Sequence, residues 1–163
     1  MRAHQAYDYV EAVTAMRVTD MLAAGTGDNT EVTGTTIDTK DAMDIVLVCF
    51  GKAVLADAET LSIVNIDLQE SDDGTSWDAD DNQLATDVVL ATSSGGSTED
   101  VTFKLQVDLA KHKVRKRYLR FNIIYDLSAG ATDTARCGAT ALLLGKRVKP
   151  DNGNELTSED LAG

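Results

Sequence analysis

A chain of 163 residues is the size of one domain, and its 43% hydrophobic content can fill a core that, with only 5% aromatics, must be mainly Val, Ile, Leu and Ala. The formal net charge of −12 argues against nucleic acid as the main partner, because phosphate contacts are made by Lys and Arg. There is no apolar run of about 18 residues that would cross a membrane as a helix, and Met1 to Val18 lacks the apolar centre of a signal peptide.

In chain order, Met1 to Leu22 has patchy apolar spacing and reads as an arm ordered by contacts, or as the first element of the fold. Ala23 to Asp41 is rich in Gly, Thr and Asp and reads as loop, with a short strand near Val32 or Thr36. Met43 to Phe50 is almost continuously apolar, which predicts a central strand buried on both faces, with Gly51 to Glu59 as a connection. Leu61 to Glu70 alternates, Val64, Ile66 and Leu68 facing one way and Asn65, Asp67 and Gln69 the other. The sequence Ser71-Asp72-Asp73-Gly74 is turn chemistry, and Trp77 follows as an apolar group expected to return over the sandwich edge.

Leu84 to Thr92 is the next strand, followed by a turn at Ser93 to Ser97. Val101 to Leu109 has the cleanest alternation, with Val101, Phe103, Leu105, Val107 and Leu109 facing in. Tyr118 to Tyr125 and Thr134 to Leu144 complete the set. Six or more short strands separated by polar turns predict an all-β fold, a single antiparallel β-sandwich wired as a jelly roll or an immunoglobulin-like domain. The expected organisation is an N-terminal arm and loop region over 1–34, a sandwich over 35–148 and a polar C-terminal tail over 149–163, with Leu156 and Leu161 able to dock on a neighbour.

No constellation points to catalysis. The acidic residues Asp72, Asp73, Asp78, Asp80 and Asp81 lack the calcium-loop spacing of Gly and Glu, so a solvated turn is the better reading. His4 and His112 form no ligand pattern with Cys49 and Cys137, which sit in apolar runs and read as buried reduced thiols. No nucleophile elbow, phosphate loop or H-E-x-x-H is present. Neither a cofactor nor a metal is expected, and the chain is not expected to be an enzyme. One cluster stands out. Lys111, Lys113, Arg115, Lys116, Arg117, Arg120, Lys146, Arg147 and Lys149 hold nine of the fifteen Lys and Arg. It reads either as a solvated connection or as an electrostatic seat on an acidic partner surface, for which Lys111, Lys113, Arg115, Lys116, Arg117, Lys146 and Arg147 are the candidate contacts.

Three segments, in this order, carry a resemblance: Thr35 to Lys40 leading into DIVLVCFG (Asp44 to Gly51), the strand and turn ending in ESDDGTSW (Glu70 to Trp77), and KRYLRF (Lys116 to Phe121) followed by TALLLG (Thr140 to Gly145). Over roughly Thr35 to Arg147 the chain resembles capsid decoration or cement proteins and related minor virion proteins of tailed bacteriophages. The resemblance implies a virion structural protein, made in the host cytoplasm, that binds the outer surface of a phage head. Its partner would be the major capsid protein. It would form a homo-oligomer, a trimer being one option, and would bind neither nucleic acid nor membrane. A tail or neck component and a carbohydrate-binding module remain as alternatives, the latter disfavoured by the scarcity of aromatics.

Overall fold

The computed structural model describes residues 10–40, 42–79, 82–107, 109, 116–128 and 132–145. Among them are nine strands and no helix: β1 (Val10–Leu22), β2 (Thr30–Thr33), β3 (Ile37–Asp38), β4 (Asp44–Leu55), β5 (Thr60–Ser71), β6 (Asn82–Thr92), β7 (Ser97–Val107), β8 (Tyr118–Leu127) and β9 (Thr134–Leu144). All pairings are antiparallel. One sheet, here sheet A, runs β1-β9-β4-β7, and the other, sheet B, runs β2-β8-β5-β6 with β3 also on β8. With β2 and β3 counted as one interrupted strand position beside β8, this is the strand order of a jelly roll, which settles the wiring that periodicity left open.

The core lies between the sheets, as expected of a sandwich about 10 Å thick. Sheet A contributes small side chains, Ala53, Ala135, Ala139 and Ala141, among Ile45, Leu47 and Leu143. Sheet B contributes the large ones, Phe121, Tyr125, Ile63, Ile66, Ile123 and Leu68. The two inner faces thus complement each other in volume, which is how an aromatic-poor core reaches normal density. Cys49 and Cys137 are free and buried on the inner face of sheet A. Burial pushes the Cys49 thiol up to about 11 and the Cys137 thiol up to about 12.

Four sequence expectations are corrected. From Val10 onward the expected arm is a strand: β1 pairs with β9 along its length and buries Ala15, Met16 and Met21. Its period is obscured because register shifts flank Met16, so the inward-facing positions do not alternate. Residues 1–9 lie outside the described set. The run from Met43 to Phe50 belongs to a strand that continues to Leu55 and buries one face only. Ile45, Leu47 and Cys49 are buried, whereas Phe50 stays 40% exposed. Gly51 to Leu55, expected as connection, pairs in unbroken register with β7. Finally, β5 bulges at Val64, so Ile63 and not Val64 enters the core before the alternation resumes at Ile66 and Leu68.

Gly34 joins the two sheets at the β1 side. Thr35 donates its amide to the Ala15 carbonyl at 2.8 Å, and its hydroxyl bonds the Thr14 carbonyl. A β-carbon at Gly34 would overlap the Phe121 carbonyl oxygen on β8 and come within 2.7 Å of the Ala15 carbonyl oxygen on β1. Backbone cannot yield as a flexible side chain would. Gly34→Ala should therefore destabilise the fold by about 3 kcal/mol, lowering the midpoint of thermal unfolding by roughly 9 °C for a chain of this size. A variant that melts with wild type would show that this close approach is dispensable.

Candidate interaction surfaces

Two surfaces carry the side chains that could meet a partner. The first is the rim where the β5–β6 turn meets the connection into β8. The turn forms as its chemistry dictates. The Asp73 carboxylate accepts the amides of Ser76 at 2.7 Å and Thr75 at 2.8 Å, the Ser71 hydroxyl caps the Gly74 amide at 2.9 Å, and Gly74 takes a positive φ of 74°. The Ser76 and Thr75 amides hold the Asp73 carboxyl well below the usual carboxylate range.

The basic connection is tied to this turn by its last residues. The Lys116 ammonium lies 2.7 Å from Asp78 and 3.4 Å from Asp72, and its amide reaches the Glu70 carboxylate at 3.3 Å. Arg117 forms a two-pronged pair with Asp38 of β3 and lies over the Tyr118 ring. Arg120 bonds the Gln69 side-chain oxygen, and its guanidinium carbon sits 4.4 Å from the centre of the Trp77 ring. Two of the seven candidate contacts, Lys116 and Arg117, thus face acids of the same chain. Lys111, Lys113, Arg115, Lys146 and Arg147 fall outside the described residues, as do His4, His112, Lys149, Leu156 and Leu161. Exposed ion pairs of this kind stabilise little individually. Their consequence is geometric: they hold the acidic turn against Lys116 and Arg117 at the start of β8 in one rim.

Trp77 is half-buried beneath Arg120, and that side of its ring is not open for stacking on a sugar. Beside it the outer face of sheet B is a polar lattice. Gln69 accepts from both Arg120 and Asn122, and Asn65 bonds Asp67 and Gln83. Sequence periodicity placed Asn65, Asp67 and Gln69 on an outer face but could not show that they bond Gln83, Arg120 and Asn122 across three strands.

The second surface was missed by sequence reasoning: the outer face of sheet A. Register places its side chains in rows running from β1 through β9 and β4 to β7. These are Leu22–Thr134–Val54–Thr98, Asp20–Arg136–Lys52–Asp100, Thr14–Thr140–Val48–Lys104 and Ala12–Leu142–Val46–Gln106. Between the second and third rows, Phe50 pairs with Gly138, whose missing side chain leaves room for the Phe50 ring and Val18 to lie across the strand. Of the large apolar side chains left exposed, Val18, Leu22, Phe50 and Val54 belong to this face. Within it a shallow groove of about 390 Å³ is lined by Val18, Phe50, Lys52, Asp100, Thr102 and Arg136. Its charges are paired locally, Arg136 with Asp20 at 2.5 Å and Lys52 with Asp100 at 3.8 Å. The signal available in sequence was the unbroken apolar run into Phe50, which was assigned to a strand buried on both faces.

No protein-family model matches the chain, and no curated protein matches it. Solved structures similar to it include infectious bursal disease virus, Gx strain, at 11% identity and a TM-score of 0.45, covering 90% of this chain and 34% of that one. The VP2 subviral particle of the same virus is similar at 12% identity and a TM-score of 0.48, covering 86% and 33%. The CBM22-1 xylan-binding domain from Paenibacillus barcinonensis Xyn10C is similar at 9% identity and a TM-score of 0.31, covering 86% and 92%. The chain spans about a third of the viral chains it matches. With identities this low and TM-scores under 0.5, these likenesses carry no functional argument.

Two expectations follow from the rim. Trp77→Ala should cost about 2 kcal/mol, from partial burial and the lost guanidinium contact, and lower the melting midpoint by about 6 °C. An unchanged midpoint would mean that the ring has no structural role. The Asp73 carboxyl is depressed in the fold relative to the unfolded value near 3.9, so its contribution to stability is present above about pH 4 and fades as pH falls below it. Asp73→Asn should therefore melt lower than wild type at pH 7, with the gap narrowing progressively as pH falls below about 4. A gap that stays constant with pH would show that the carboxylate charge is not what holds the turn.

Proposed function

We propose that this chain is a virion structural protein that binds the outer surface of a phage head and stabilises the shell by bridging neighbouring capsomers. The carrying observation is the rim: the ESDDGTSW turn that bears the sequence resemblance is ion-paired to the KRYLRF segment that bears it too. Segments far apart in sequence thus form one pre-ordered surface. Jelly rolls serve capsid, lectin and other roles alike, so the fold by itself selects none of them.

The mechanism is mass action. A module that binds the assembled shell and not its free subunits stabilises the shell by RT ln(1 + [L]/Kd) at each site, about 2.7 kcal/mol at a hundredfold excess over Kd. The acidic balance of the chain suits an outer surface, away from a packaged genome. In this reading Lys116 and Arg117 anchor the connection internally, and Lys111, Lys113 and Arg115 supply the charges that meet the major capsid protein.

Co-sedimentation with undecorated heads tests this. The wild-type chain should pellet with heads and protect them from thermal disruption. Reversing Lys111, Lys113 and Arg115 to Glu should weaken binding roughly tenfold or more and leave circular dichroism unchanged. Binding should also weaken with salt, since the screening length shrinks from about 10 Å at 0.1 M to about 3 Å at 1 M. No association with heads would end the head-surface reading, and association that ignores both salt and the triple reversal would remove the electrostatic seat.

A further inference from the structure

The outer face of sheet A is the part of the surface least like the rest. Its described outward-facing side chains include three acids, Asp20, Asp44 and Asp100, and four bases, Arg17, Lys52, Lys104 and Arg136, so the face is near neutral on a chain of net charge −12, with Arg17 and Lys104 on its two edge strands, β1 and β7. Two of the acids are paired with bases of the same face, and Asp44 accepts a hydrogen bond from Gln106 at 2.8 Å. Around these pairs lie Val18, Phe50, Val54, Leu22, Val46, Val48 and Leu142, the first four exposed. By contrast, the outer face of sheet B presents Glu31, Asp67 and Asp126 against Arg120 among its described residues.

From this geometry we infer that sheet A is a self-association surface: two copies pack through these outer faces, making a stack of four sheets. Charge decides the occupant. Two copies of so acidic a chain repel one another wherever acids meet, and a near-neutral, apolar-centred face is where they can approach at least cost. Burying it leaves no unpaired charge at Asp20, Asp100, Lys52 or Arg136, because each keeps its partner.

Size points the same way. Four strands about 4.8 Å apart, with about 11 residues each, present about 700 Å², close to the roughly 800 Å² per partner of a standard interface. Aligned sheets pack face to face at about 10 Å, the spacing already used inside the molecule. The Val18 and Phe50 side chains over Gly138 would be the anchors, and the groove beside them would receive their counterparts.

The experiment needs no phage head, so its outcome is separate from that of the head-surface proposal. Sedimentation equilibrium of the full chain should give twice the 17.4 kDa chain mass, and 1 M NaCl should not dissociate the dimer, because the contact is apolar. Val18→Asp and, separately, Phe50→Ser should each raise the dimer dissociation constant about 30-fold, with melting and circular dichroism close to wild type since both side chains are already exposed. A chain that stays monomeric at about 100 μM, weaker than a typical specific interface, overturns the inference. So does a dimer that salt dissociates, or one that survives both substitutions. A third control substitutes Leu156→Ser and Leu161→Ser in the full chain. Dissociation by that pair, with no effect of Val18→Asp, would make the C-terminal segment the occupant and overturn the face-to-face dimer.

Discussion

The constraint on which the sandwich depends is the backbone approach at Gly34. At Gly34, between β2 and β3 of sheet B, the chain passes between the carbonyls of Ala15 on β1 and Phe121 on β8 with no room for a side chain. That passage sets how the β1 edge of one sheet sits over β8 of the other. The bulged stretch of β1 lies beside it: Ala15 and Met16 are both buried, and the Thr35 hydroxyl bonds the Thr14 carbonyl. With the sheets so placed, small residues of sheet A face large ones of sheet B, and a core with few aromatics fills.

Electrostatics then divides the molecule. Acidic turns are held locally, as Asp73 is by turn amides and Asp28 is by Ala24 and Leu127. The cations that meet acids on the rim knit the β5–β6 turn to the start of β8. Those on sheet A cancel acids one strand away. One end of the sandwich therefore carries a charged, ion-paired rim, and one broad face carries almost no net charge. The proposed binding role has use for both: charge for orientation and rate, and apolar area for residence.

Tyr125 and Cys49 show a different economy in the core. The Tyr125 hydroxyl is buried beside the Cys49 thiol and makes no well-aligned hydrogen bond, and burial drives both groups toward their neutral forms. Asn122, also buried on sheet B, leaves its side-chain oxygen unpaired while donating to Gln69.

The sequence by itself determined the class of fold, because a period of two is a local property: β7, β8 and β9 and the Ser71–Gly74 turn were legible where each residue's environment depends on its nearest neighbours. Where a bulge inserts a residue, as at Val64 and along β1, periodicity misreports which side chain is inside, since the phase is reset by pairing with a distant strand. The jelly-roll order was likewise invisible, because pairing partners such as β1 with β9 are separated by most of the chain. The basic cluster was legible as composition. That Lys116 and Arg117 turn to Asp72, Asp78 and Asp38 was not, because those acids come from other strands and loops. The outer face of sheet A is the sharpest case. An apolar run looks the same whether its second face is buried or open, and only the stacking of sheets decided that Phe50 and Val54 look outward.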